Sequence, residues 1–200
     1  MLLRYLVDAF DVVPADVDEV APRALPVGEA LEVIARKKAL HVSQRRRDAW
    51  VLAADTVVAW GDELVGKARS EPEVRERLAL LAGSTHQVWT GLAVAWNGLV
   101  QDAAHAVTAV HMDRMPRDAV DAYVRSGHWE GKAGGYGIQD PMLGAYLRIQ
   151  SGPWSNVVGL PLAATRDLLR RNGVVCKDPP TEEWMVANNP FAAAAPPGTR

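Results

Sequence analysis

Hydrophobic and polar positions along the chain recur with two periods, about 3.6 residues and about 2, and the switches between them outline the elements. Over residues 28–41, Leu31, Ile34, Ala35 and Lys38 fall at i, i+3, i+4 and i+7 on one helical stripe. Lys38 therefore stands where the pattern puts an apolar side chain. Residues 49–60 are rich in Val, Ala and Trp without a turn signal, which predicts a strand buried on both faces, and Asp55 interrupts its middle. Ser70-Glu71-Pro72-Glu73 has capping-box form with proline in the first turn, and the helix it opens carries Leu78 and Leu81 to a stop at Gly83. Residues 88–96 and 99–112 read as strands joined by Asn97-Gly98, so they should pair as an antiparallel hairpin.

The remaining segments are shorter. Residues 2–7 read as a helical fragment, and 10–14 as an extended, strand-like run leading into acidic residues. Residues 116–125 predict a helix with Val120, Tyr123 and Val124 inward. A glycine-rich stretch over 131–137 leads to a strand near 145–149, and Pro161 starts a last helix that carries Leu168 and Leu169 to Gly173. From Asp178 the chain turns rich in Pro and Ala, which predicts a disordered tail over 178–200 behind a domain of residues 1–177. No internal repeat is visible. The fold class expected is α/β, a mixed sheet containing an antiparallel hairpin.

Composition narrows the function classes. A chain of 200 residues with 48% hydrophobic and 23% charged residues forms one globular domain or a two-lobed unit. Lys and Arg number 22 against 24 Asp and Glu, a net charge of -2, which lacks the basic excess for tracking a nucleic acid polymer. The single cysteine, Cys176, permits no internal disulfide or multi-cysteine metal cluster and leans towards a reducing compartment. No stretch reaches the ~20 apolar residues of a membrane span. The expectation is a soluble, cytoplasmic protein with no membrane partner.

Asp55 is the first candidate for chemistry, because an ionised carboxylate in an apolar strand is costly unless paired, hydrogen-bonded or metal-bound. It reads either as a strand-end aspartate turned to solvent or as a general base or metal ligand. Asp55→Asn should leave stability equal or higher, because it removes an uncompensated buried carboxylate. Lys38 and Lys67 read as snorkelling or solvated cations, or as phosphate contacts flanking that strand. Glu19 could join Asp55 around a hard divalent cation, which takes one or two carboxylates plus phosphate oxygens. The glycines from Gly131 to Gly137 match neither the Walker nor the dinucleotide fingerprint. His86 and Thr90 share a strand face with Val88, and the remaining histidines show no zinc-ligand spacing.

Taken in order, Ala15-Asp16-Val17-Asp18-Glu19, Lys38-Ala39, Ala54-Asp55-Thr56-Val57-Val58, Gly66-Lys67, the run from Gly83 through His86 and Val88 to Thr90-Gly91, Lys132-Ala133-Gly134 with Tyr136-Gly137-Ile138-Gln139, and Asn156-Val157-Val158-Gly159-Leu160-Pro161-Leu162 resemble the Maf family of nucleoside triphosphate pyrophosphatases. The resemblance implies a two-lobed fold with a central cleft, related to the inosine triphosphate pyrophosphatases. It also implies a divalent metal (Mg²⁺ or Mn²⁺) and cleavage of a nucleoside triphosphate between the α and β phosphates. By the family pattern Asp55 is the catalytic proton acceptor, and Glu19, Lys38 and Lys67 are its other polar site positions, with Glu19 and Asp55 at the metal. Thr56 and Gln139 match positions tied to base choice, in the combination of members that prefer dTTP and UTP. A homodimer is compatible with this pattern.

Two features depart from the family. Ala68 stands where proline usually follows the lysine, a change that should be tolerated. Family members also open with a strand and a Ser-x-Ser-Pro-Arg-Arg phosphate loop that this sequence lacks. Two readings follow: a native start upstream of Met1, with the 200-residue chain weakly active and prone to self-association, or an impaired relative that binds nucleotide or a partner without turnover.

Overall fold

A computed structural model describes residues 2–22 and 24–189. A 3₁₀ turn, Leu2–Tyr5, precedes α1 (Val27–Ser43), β1 (Val51–Trp60), β2 (Glu63–Val65) and α2 (Glu71–Leu81). Then come β3 (Ser84–Trp96), β4 (Leu99–Met112), α3 (Arg117–Ser126), β5 (Leu147–Ser151), α4 (Trp154–Val158), α5 (Leu162–Arg171) and α6 (Glu182–Ala187). The strands form one sheet in the order β2-β1-β3-β4-β5. No helix among the described residues is long and apolar enough to cross a membrane.

The expected mixed sheet is corrected to an antiparallel one. β1 pairs antiparallel with β2, and β4 with β5. Along β1 and β3 the contacts run in opposite directions: the Trp50 and Trp96 rings lie 5.3 Å apart, Thr56 bonds Thr90, and Trp60 bonds Ser84. β3 and β4 are joined by the Asn97-Gly98 turn, where both residues have positive φ (48° and 77°), as a two-residue type I′ hairpin requires.

The chain divides into two compact units. The first holds the described residues up to Thr56 with Trp89–Val107 and Gly159–Pro180; the second holds Val57–Val88, Thr108–Val158 and the described residues from Thr181 on. In the first, Ala35 and Ala39 of α1 meet Ala93 and Ala95 of β3, with Val51, Ala53 and Ala103 packed around them. Small side chains let helix and sheet approach closely. At Gly91 a Cβ would stand 2.3 Å from the Leu31 carbonyl carbon and 2.6 Å from the Glu32 nitrogen. Backbone therefore lies against backbone.

In the second unit α2 packs on α3 through a core that includes Val74, Leu78, Leu81, Tyr123 and Val124. Ser70 caps α2 by accepting from the Glu73 amide at 3.4 Å, while the Glu73 carboxylate accepts from the Arg69 amide at 2.8 Å. This shifts the back-bond of a standard capping box by one residue.

Other expectations need correction. Residues 9–22 form neither helix nor strand, because Pro14 supplies no amide for a ladder. β1 is not buried on both faces: residues 51–57 are half-buried, and only Val58 and Ala59 are buried. β2 pairs with β1 only at Val58–Trp60, so the first part of the strand lacks that cover. The segment after Asp178 is not wholly loose. α6 buries Met185, and Glu182 accepts from the Ser155 amide and hydroxyl at 3.0 and 2.7 Å. Residues 190–200 of the expected tail lie outside the described residues. Gly91→Ala is expected to lower stability by about 3 kcal/mol or more, since backbone must move to admit a methyl group; urea denaturation measures it.

Candidate functional site

In the first unit, α1 and β1 bring two of the candidate residues into contact, and the loop at 9–22 adds a third. Lys38 Nζ lies 2.5 Å from Asp55 Oδ1 and 2.7 Å from Glu19 Oε1. The Lys38 and Asp55 side chains are only 15% and 13% exposed, whereas Glu19 is 47% exposed, so the inner pair is shielded and the outer carboxylate wet. Burial opposes the Lys38 charge, but hydrogen bonds and charges from Asp55 and Glu19 outweigh it and raise the pKa above 10.5. Lys38 is an ammonium at neutral pH. The Asp55 carboxylate is thus compensated, and Asp55→Asn should cost stability rather than preserve or raise it. Lys38 also lines a pocket of about 660 Å³ whose wall includes Phe10, Val12, Trp50, Leu52 and Ala54.

Thr56 follows Asp55 directly and, by strand geometry, points to the opposite face of β1. Its hydroxyl lies 2.8 Å from that of buried Thr90, and a Cβ on Gly159 would stand 3.8 Å from it. The structure therefore places Thr56 away from the Lys38–Asp55 contact.

Lys67 and Gln139 belong to the second unit. Lys67 is exposed and forms an isolated antiparallel bridge with Ala133, while the Arg77 guanidinium holds the Gly66 carbonyl beside it. The Gly134 amide donates to the Val65 and Gly66 carbonyls, both at 3.2 Å. These bonds tie the Gly66-Lys67 turn to the glycine-rich segment. Gln139 has a buried Oε1 without a hydrogen-bond partner, and its carbonyl accepts from Asn189 Nδ2 at 3.3 Å.

Beneath that segment, His86 Nε2 and the Tyr136 hydroxyl lie 2.5 Å apart, and Tyr123 donates to the Gly135 carbonyl at 3.1 Å. Burial, and secondarily the charge of His111, lowers the His86 pKa to about 4, so the imidazole is neutral at pH 7. Asn156 Nδ2 donates to the Val88 carbonyl at 2.9 Å and to Thr108 Oγ1 at 3.0 Å. The motif residues His86, Tyr136 and Asn156 are therefore buried struts. Lys132, a half-buried lysine in the same segment, is part of the motif series but receives no role from the sequence, because its charge has no periodic neighbour to mark it.

Among the described residues no group of three or more His, Cys, Asp or Glu is placed to hold a metal ion. Glu19 and Asp55, two carboxylates converging on one ammonium, nevertheless fit the smaller oxygen set of a divalent cation that completes its shell with water and phosphate oxygens.

The order of these residues along the chain agrees with a family model described as Maf-like protein, which matches residues 1–172. This chain belongs to the Maf family. It is 44% identical over 140 residues (70% of this chain, 67% of the relative) to the dTTP/UTP pyrophosphatase of Agrobacterium fabrum. The dTTP/UTP pyrophosphatase of Brucella abortus strain 2308 is 40% identical over 167 residues (80% and 79%), and that of Hyphomonas neptunium 42% over 163 residues (81% and 83%).

In this Maf-family chain Lys38→Met leaves two carboxylates facing each other and is expected to lower stability by about 1–3 kcal/mol near neutral pH. Because the folded-state pKa exceeds 10.5, the Lys38 contribution is complete below that pH and fades as the pH rises through the raised value. Urea denaturation at several pH values should show the difference between wild type and variant shrinking only in strongly alkaline solution.

Proposed function

We propose that this chain hydrolyses dTTP and UTP to the nucleoside monophosphate and pyrophosphate. The observation that carries the reading is the contact of Lys38 with Asp55 and Glu19 at 2.5 and 2.7 Å, formed by residues that the family motifs mark. The names of the relatives support the substrate class.

Asp55 accepts the proton of the attacking water, whose oxygen bonds to the α-phosphorus as the α–β bridging oxygen departs with pyrophosphate. Lys38 orients the Asp55 carboxylate and supplies fixed positive charge beside it. Glu19 and Asp55 would hold a divalent cation, Mg²⁺ or Mn²⁺, which would supply positive charge against the polyphosphate. Lys67 contacts phosphate, a role for which an exposed point charge on an anchored turn is suited. Thr56 fixes β1 through Thr90, and Gln139 reads the base through its carboxamide.

Asp55→Asn is expected to reduce turnover ~10²–10⁴-fold with the fold retained, as measured by pyrophosphate release and circular dichroism. Near-wild-type hydrolysis by this variant rules out the proton-acceptor role. Gln139→Glu should depress dTTP and UTP hydrolysis more than that of other triphosphates, since a carboxylate has no donor for a base carbonyl. An equal loss across a nucleotide panel would show that Gln139 supports the site without reading the base.

A further inference from the structure

Lys132 is half-buried and its backbone bonds Trp129 and Gly135, yet among the described residues its ammonium has no hydrogen-bond or ion-pair partner. Asp140 acts on it electrostatically but is engaged elsewhere: its Oδ2 is bound by His128 Nδ1 at 2.8 Å, and its Oδ1 accepts from the Met142 amide at 2.9 Å. Burial lowers the Lys132 pKa, and Asp140 offsets this only in part. A desolvated donor is thus left open.

An open acceptor lies close to it. A Cβ on Gly137 would stand 2.9 Å from Lys132 Cε and 3.0 Å from Gln139 Oε1, so the two side chains converge over the Gly137 Cα. Gln139 Oε1 is itself buried without a hydrogen-bond partner among the described residues. Two groups of opposite hydrogen-bonding sense, a half-buried ammonium and a fully buried amide oxygen, therefore meet above a residue that leaves no room for a methyl group. The backbone beneath is held by the His86–Tyr136 contact and by the Tyr123 bond to Gly135. Such fixed and unsatisfied groups are costly in the free protein and favour a ligand that completes them.

We propose that Lys132 is a specificity-determining residue that, together with Gln139, binds the imide edge of uracil or thymine and disfavours cytosine. The proposal rests on the reading of this chain as a pyrimidine triphosphate pyrophosphatase. An imide presents one N–H donor between two carbonyl acceptors. Gln139 Oε1 accepts from N3–H, and the Lys132 ammonium donates to the 4-carbonyl. Cytosine carries an amino donor in place of that carbonyl and no hydrogen on N3. An ammonium has three donors and no acceptor, so it cannot adapt to the amino group by rotating.

The test compares wild type, Lys132→Met and Lys132→Gln in pyrophosphate release from dTTP, UTP and dCTP, with calorimetric titration of TMP, CMP and pyrophosphate into each protein. Loss of a charge-assisted hydrogen bond predicts a fall of about 10- to 100-fold in kcat/KM for dTTP and UTP, carried mainly by KM. The change for dCTP should be under about threefold, because that contact is absent from the start. TMP binding should weaken in parallel while pyrophosphate binding is unchanged. Equal losses on all three triphosphates, or weaker pyrophosphate binding with TMP unaffected, would overturn the assignment and place Lys132 on the phosphates. A wild type that turns over none of the triphosphates would defeat the proposed function instead. The TMP and CMP titrations would still decide whether Lys132 discriminates between the bases.

Discussion

The close approach of α1 to β3 at Gly91 is the constraint on which the charged contact in the first unit depends. Leu31 backbone occupies the space a side chain would need, and Ala35, Ala39, Ala93 and Ala95 continue the narrow interface. With the helix held this near the sheet, Lys38, about two turns beyond Leu31, reaches Asp55 on β1 without leaving its apolar stripe. A bulkier interface would lift the ammonium away from the strand. The glycine after Thr90 in the family motif thus acts through packing: it fixes where a charge on another element can stand.

The Lys38–Asp55 contact shows why charge can persist in this half-buried setting. Neither group is fully desolvated, and each offsets the other, with Glu19 as a second carboxylate on the wetter side. Two carboxylates against one ammonium leave an excess of negative charge, an arrangement suited to receiving a further cation. The loop that supplies Glu19 has no regular structure of its own, and the Lys38–Glu19 pair helps tie it to the helix, as Arg46–Asp11 does just past the helix end.

The second unit solves a different problem. Its glycine-rich segment has positive φ at Gly131, Gly134 and Gly135 and forms only an isolated bridge at Ala133, so backbone and side chains hold it together: the Gly134 amide on the Val65 and Gly66 carbonyls, Tyr136 on His86, and Tyr123 on Gly135. The imidazole of His86 is neutral there, because burial penalises its charged form. Asn156 performs the same task between β3 and β4, and its motif reads as function in the sequence but as architecture in the structure.

The sequence by itself determined the elements whose causes are local. The cap at Ser70, the Asn97-Gly98 hairpin and the α1 stripe with its misplaced lysine all lie where short-range chemistry puts them. The ordered motifs were enough to single out Asp55, Lys38, Glu19, Lys67 and Gln139 as candidates. Tertiary structure decided what depends on partners distant in sequence. The neighbours β1 and β3, the pairing of β4 with β5, the partial exposure of β1 and the folding of residues 182–187 against Ser155 were not legible, because each is fixed by groups tens of residues away. The placing of Thr56 and Asp55 on opposite faces follows from strand alternation, but their partners came only from the fold. Lys132 was given no role for the same reason: what makes its charge informative is the lack of an ion-pair partner among the described residues and the nearness of an unsatisfied amide across Gly137, and neither leaves a periodic mark in the chain.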